Sequence, residues 1–248
     1  MPEQFIYTMD DTLRMLDELL AARDGTWWNG FFADRAKPCP FFVDWPDENL
    51  VEWVAAGRLT AGRVLELGCG HGRNAVFLAG QGCRVDAVDF SAEAIDWARQ
   101  QASAAAVTVN FRCSDIFDLP VEDAAYDLVY DSGCWHHLAP HRRRDYVDLV
   151  NRALKPGGHF GLVCFRPEGG GGLTDQQVYE NRSLGGGLGY SQEALRAVWD
   201  AAPFSVQVLR QMVQQDGQGP TFGADFLWAL LATKTVGSRA AAGHDKPL

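Results

Sequence analysis

Val64-Leu65-Glu66-Leu67-Gly68-Cys69-Gly70-His71-Gly72-Arg73-Asn74 is the stretch that decides the fold. Arg63 to Leu67 reads as a buried strand and Arg73 to Gly80 as a helix, so the three glycines fall where strand gives way to helix. Glycine at such a turn lets the backbone bend tightly and approach a ligand closely. The following helix presents unpaired N–H groups and a positive dipole end to an anionic group. A dinucleotide fingerprint would read G-x-G-x-x-G, whereas here the third glycine, Gly72, comes one residue early and Asn74 follows. That spacing counts against a nicotinamide or flavin site.

Outward from this turn the pattern stays periodic. Arg84 to Asp89 predicts a second strand and Ser91 to Ala105 a helix with Ser91 as its N-cap. Val107 to Cys113 and Tyr126 to Asp131 predict strands, and a helix from His141 to Leu154 closes on Lys155-Pro156-Gly157-Gly158. His159 to Phe165, Ser205 to Arg210 and Phe226 to Thr233 complete the strands, with a helix near Ser191 to Ala201. Strands alternating with helices imply βαβ units on a mainly parallel sheet. Before the turn, leucines at 13, 16, 19 and 20 have helical spacing, capped from Asp10-Asp11-Thr12. The aromatic run from Trp27 to Trp45, broken by Pro38 and Pro40, predicts an ordered loop, and a helix starts near Pro46. We expect residues 1–45 to form an N-terminal helix and aromatic lid segment. Residues 46–236 form the main domain, with a glycine-rich insertion at 166–190, and residues 237–248 a flexible tail.

Composition narrows the function classes. With 47% apolar and 22% charged residues in 248, the chain can bury one core without metal or disulfide staples. A net charge of -10 opposes a standing affinity for nucleic acid, so no nucleic-acid partner is expected. Arg142-Arg143-Arg144 is the only notable basic run, read as a solvated helix start or, less simply, a local RNA patch. The six cysteines lack C-x-x-C spacing, which fits a reducing cytoplasm, and no zinc or other metal site is expected. Nothing reads as a signal peptide or membrane span.

Two strand-end carboxylates extend the site. Asp89, about twenty residues after the glycine turn, is placed to accept from ribose hydroxyls, with Phe90 and Ser91 beside it. Asp115 can accept from an adenine amino group while Ile116 covers the ring; Asp115 can equally serve as a turn residue. Glycine turn, Asp89, Asp115, then Tyr126 to Asp131 and Leu154 to Gly158, in that order, resemble a class I S-adenosylmethionine-dependent methyltransferase over residues 45 to 234. The resemblance implies a Rossmann-like, doubly wound α/β fold. Its sheet has seven strands, the last antiparallel, with helices on both faces. It implies S-adenosylmethionine as cofactor and S-adenosylhomocysteine as product. Glu66, Gly68 and Gly70 would surround the methionine part, with Cys69, Gly72, Arg73 and Asn74 also among the cofactor-binding residues. Asp89 would take the ribose, Asp115 and Ile116 the adenine, and Asp131 with Ser132 would line the cleft beside the sulfonium.

Trp28 to Phe42 and Asp131 to Leu138 are further similar to the thiopurine and tellurite-resistance methyltransferase groups. That likeness implies a small-molecule acceptor methylated at sulfur, nitrogen, oxygen, selenium or tellurium. It makes Trp28, Phe31, Phe32 and Arg35 lid candidates, unless the rings simply extend the core. His136 and His137 follow the fourth strand and are the candidate general bases, one of the two facing the cleft. A metal set of Cys134, His136, His137 and His141 lacks zinc spacing. Residues 166–190 form either a binding lid or a surface loop. An RNA or protein methyltransferase and a cofactor-binding regulatory protein are the alternatives, and the chain is expected as monomer or homodimer.

Overall fold

The computed structural model describes residues 5–20 and 25–236; the flexible-tail expectation lies outside these residues. The chain opens with α1 (Met9–Leu19), α2 (Gly25–Ala33) and α3 (Glu48–Ala55). It then alternates through β1 (Arg63–Leu67), α4 (Arg73–Gly80), β2 (Arg84–Asp89), α5 (Ala92–Ala104), β3 (Val109–Cys113) and β4 (Tyr126–Ser132). α6 (Arg143–Ala153), β5 (Leu154–Phe165), α7 (Asp175–Glu180), α8 (Gln192–Asp200), β6 (Phe204–Gln211) and β7 (Leu227–Lys234) follow.

The strands make a seven-stranded sheet in the order β3-β2-β1-β4-β5-β7-β6. β1 pairs in parallel with both β2 and β4, and β7 runs antiparallel between β5 and β6. This is the doubly wound architecture the sequence predicts. Strand order reverses at β1 and β4, which opens a crevice beyond their carboxyl ends. Alternation along β1 feeds two cores. Leu65 and Leu67 join Val129, Tyr146, Phe160 and Trp199 on one face, while Val64 joins Leu50, Trp53, Leu78 and Tyr130 on the other. Ser91 and Ser191 cap α5 and α8 by accepting from the N–H groups of Ala94 and Ala194.

Several local expectations need correction. The aromatic stretch is not all loop: Gly25–Ala33 is helical, because the prolines lie beyond it and Trp28, Phe31 and Phe32 recur at helical spacing. The cap of α1 is Thr8, in a capping box with Asp11, rather than the Asp10 to Thr12 group. Lys155 to Gly158 joins the start of β5 through an irregularity opposite Tyr126 and Leu128, where the text of the sequence signals only a stop. The arginine triplet is largely consumed. Arg142 pairs with Asp17 of α1 and Asp145, and Arg143 grips both oxygens of Asp175 and the Tyr190 hydroxyl. Arg144 alone is exposed, at 91% of its side chain.

The insertion packs as structure. Thr174 and Gln177 form the capping box of α7. Gly171 donates to Gly187, Leu188 to the His136 carbonyl and Tyr190 to the Phe165 carbonyl. A Cβ on Gly170 would lie 2.3 Å from the Gly189 nitrogen, so only glycine lets these two backbones lie together.

Candidate active site

The crevice beyond β1 and β4 is a cleft of about 530 Å³. Its floor is the glycine turn. Gly68, Gly70 and Gly72 all have positive φ, +66°, +53° and +84°. Gly68 and Gly70 face the cleft, and a Cβ on Gly70 would project toward Phe32 at 3.4 Å. Gly72 does another job: its absent Cβ would meet Ala98 at 2.8 Å, so it lets α4 pack against α5.

Asp89 fastens this turn. Its Oδ2 accepts from Gly70 N–H at 2.8 Å and its Oδ1 from Ser91 N–H at 2.9 Å, while burial pushes its pKa up. Phe90, Asp115 and Ile116 continue the same wall, with Asp115 Oδ1 accepting from Phe117 N–H at 2.9 Å. Burial raises the Asp115 pKa. Ser91 is fully buried and turned away; its hydroxyl donates to Asn29 of α2, tying that helix to α5.

Glu66, Cys69, Arg73, Asn74 and Ser132 also line the cleft. Arg73 is buried, with Nη1 at 2.6 Å from Asp47 and 3.1 Å from the Trp45 carbonyl. Its Nη2 donates to Ser132 Oγ at 3.0 Å, and the guanidinium lies over Phe222. Asn74 and the Tyr130 hydroxyl also bond to Asp47. Asp47 is thus a fully buried hub joining α3, α4 and β4. Sequence reasoning missed it, because Pro46-Asp47 signals a helix start and nothing more. Glu66 beside this hub is buried, its Oε2 lacks a hydrogen-bond partner, and burial lifts its pKa to about 8.

Besides Gly72 and Ser91, two more predicted residues stand elsewhere. Arg35 donates to Gln100 and covers Trp97, so it packs on the outside of α5. Asp131 is not in the cleft wall. It is fully buried and accepts from Cys134 and Trp135 N–H at 2.8 and 3.0 Å, and from the Tyr146 hydroxyl. Its carboxylate therefore holds from below the turn that carries the histidines, and burial pushes its pKa to about 7. The expectation of a place beside the sulfonium fails because β4 turns this side chain into the core.

Much of the cleft lining is aromatic: Trp28 and Phe32 come from α2, Phe32 beside Gly70, and Phe165, Phe222 and Phe226 complete it, Phe222 under Arg73. None of the last three stood out in the sequence: Phe165 and Phe226 lie at the ends of apolar strands and Phe222 in a glycine- and proline-rich connection. His136 and His137 both face the cleft, correcting the expectation of one. They sit in a 3-10 turn, Trp135–His137, where three residues complete a rotation. Trp135 takes the core direction and leaves two neighbours on the open side. His137 meets Trp28 edge-on at 4.9 Å, and His136 stacks on Phe165 at 3.7 Å. His71, also on the wall, is held on the Val43 carbonyl and pushed down to about 4 by burial, so it stays neutral.

Sheet order, glycine turn and strand-end acids define the class I S-adenosylmethionine-dependent methyltransferases. Residues 64–158 match the family model of a methyltransferase domain, in agreement with the resemblance to that class. A 2-heptyl-1-hydroxyquinolin-4(1H)-one methyltransferase of Mycobacteroides abscessus is 28% identical over 52% of this chain and 57% of that protein. A tRNA N(3)-methylcytidine methyltransferase of Schizosaccharomyces pombe is 27% identical over 64% of this chain and 54% of that protein. The chain spans about half the length of the curated relatives it matches. Among solved structures, the Burkholderia thailandensis 1,6-didemethyltoxoflavin-N1-methyltransferase, with that compound and S-adenosylhomocysteine bound, shares the fold. Its TM-score is 0.60 at 20% identity, covering 94% of this chain and 93% of that one.

The residues present fit such a cofactor. An unpartnered, buried Glu66 oxygen suits an ammonium group, and the bare Gly70 backbone leaves room for a ligand under Phe32.

Proposed function

We propose that the chain transfers a methyl group from S-adenosylmethionine to a small molecule. The observation that carries this reading is that one cleft is lined both by the polar set Glu66, Asp89 and Asp115 and by aromatic side chains from α2 and β5. Residues up to 45 act as the lid and 46–236 as the transferase domain. The cofactor supplies a methyl group already activated on a sulfonium sulfur, so the protein must mainly align, desolvate and hold.

In this reading Glu66 holds the methionine ammonium, and Gly68 and Gly70 let the cofactor lie against backbone. Asp89 accepts from the ribose, and Asp115 with Ile116 frames the adenine. Trp28 and Phe32 exclude water above. Arg73 and Asn74 act through Asp47, keeping the Glu66 wall in shape. Where the acceptor carries a proton, His137 stands at the cleft to take it. The net charge of -10 and the ion-paired arginines Arg142 and Arg143 support a small acceptor over an RNA. The hydroxyquinolone-methylating relative supports the same choice, and the aromatic α2 supports a place near the thiopurine and tellurite-resistance groups.

Calorimetric titration with S-adenosylmethionine and S-adenosylhomocysteine tests the cofactor, and micromolar binding of both is expected. A methyl-transfer assay on thiols, phenols, heteroaromatic amines and selenite, with tRNA and peptide alongside, tests the acceptor. Failure of both ligands to bind sinks the reading. Turnover on tRNA alone moves the acceptor to RNA, and binding without any turnover makes the protein a cofactor sensor.

A further inference from the structure

His136 is placed at the cleft like a general base, yet its hydrogen bonding gives it another capacity. Phe165 N–H donates to His136 Nδ1 at 3.3 Å. A backbone N–H can only donate, so Nδ1 is the nitrogen that carries no proton, and in a neutral imidazole the proton then sits on Nε2. Adding a proton to Nδ1 would set two donors against each other.

The ring cannot swing to escape this. One face stacks on Phe165 at 3.7 Å, and its Cδ2 edge would lie 3.1 Å from a Cβ on Gly187, whose φ is +128°. The His136 carbonyl is itself held by Leu188 N–H at 2.7 Å. Burial, with His137 alongside, lowers the ring's pKa well below the usual histidine range. The groups packed on it from β5 and the insertion are Phe165 and Gly187, which carry no charge; His137 and Cys134 are the titratable neighbours on its own turn. With Nδ1 committed and Cδ2 covered, the Nε2–H edge is what His136 offers to the cleft.

We propose that His136 is a fixed hydrogen-bond donor that orients the methyl acceptor, and that the acceptor carries a carbonyl oxygen, a pyridine-type nitrogen or an oxyanion to receive it. The word acceptor rests on the methyltransferase reading; the donor geometry does not. A proton on the attacking atom is then not taken by His136, and cationic ammonium acceptors are disfavoured at this end.

Long-range proton–nitrogen NMR on the histidine-labelled full chain with S-adenosylhomocysteine reads the ring directly, the His136 signals being assigned by their loss in His136→Gln. The expected result is a neutral Nε2–H tautomer that does not titrate between about pH 5.5 and 8. A titrating ring or an Nδ1–H tautomer overturns the proposal. Two probes of similar size separate donor from mere wall: 4-quinolone, which offers a carbonyl, and indole, which offers only a donor. 4-Quinolone is expected to shift the Nε2–H signal and bind about tenfold more tightly than indole. His136→Gln, whose amide N–H can reach the same place, keeps that preference, and His136→Phe loses it. No response to millimolar 4-quinolone, or a preference intact in His136→Phe, overturns it. Loss of S-adenosylhomocysteine binding would instead strike the methyltransferase reading, leaving the ring's proton map readable.

Discussion

Glu66 is buried in the cleft wall with Oε2 unpartnered, and burial lifts its pKa from 4.5 to about 8. The folded chain therefore holds this proton more tightly than the unfolded chain does. The stability this contributes is full below about pH 4.5 and is lost as pH rises through about 8. Thermal melting of the cofactor-free protein should fall over that window, and Glu66→Gln should flatten the fall. If Glu66 meets an ammonium, binding requires its ionisation, so affinity for S-adenosylmethionine should rise toward pH 8. Calorimetry in two buffers of different ionisation heat should then show proton release that Glu66→Gln abolishes. Asp89 carries a double duty, since the same carboxylate fastens Gly70 and Ser91. Asp89→Asn should weaken cofactor binding by about 1–3 kcal/mol, read by titration, and unchanged affinity would remove the ribose role.

Among the elements, the joint at Asp47 matters most. It is the N-cap position of α3, yet it makes no side-chain cap bond; the carboxylate turns instead to Arg73, Asn74 and Tyr130. Removing one member of a buried ion pair leaves an uncompensated charge, at a cost of about 3–5 kcal/mol. Asp47→Ala should lower the melting temperature by about 10 °C, with cofactor affinity falling because Arg73 no longer has its anchor. A melting curve within about 2 °C of the wild type would show that the hub is dispensable. α2 is fastened differently. Asn29 on α2 receives the Ser91 hydroxyl at 2.9 Å, so the cap of α5 and the seating of α2 are one feature. α1 is held by Asp17 to Arg142 and His141, a clamp on the same side of the molecule as the insertion through Arg143 and Asp175.

For the molecule as a whole, charge is the property with the plainest consequence. A protein that neutralises several phosphates loses about 10³ to 10⁵ in affinity between 50 and 200 mM salt. With a net charge of -10 and its basic triplet mostly paired, this chain should show transfer rates that change by less than about twofold over that range. A steep salt slope in an assay with tRNA would favour a nucleic-acid acceptor. No helix among the described residues is long and apolar enough to cross a membrane, and none of their His, Cys, Asp and Glu side chains group to hold a metal ion.

The local order of strands and helices was legible because it rests on period and punctuation. β1, α4 and β2 fall on the residues the pattern marks, and Ser91 and Ser191 cap the helices they precede. The glycine turn and Asp89 were legible for the same reason, since each falls at the end of a strand the pattern marks, although their contact spans nineteen residues. Direction was harder. Whether Asp131 points to the cleft or the core depends on Tyr146, fifteen residues on, and whether Arg35 roofs the site depends on Trp97 and Gln100. Asp47 became a hub, and Phe165, Phe222 and Phe226 became walls, only through partners far along the chain. His136 and His137 share the cleft because a 3-10 turn replaced the alternation of a strand. The sequence by itself determined the fold and the glycine turn of the cleft floor, which rest on periodicity and turn chemistry. Tertiary structure alone decided the rest of the cleft lining, because burial and hydrogen bonding between distant segments set which side chains face the cleft.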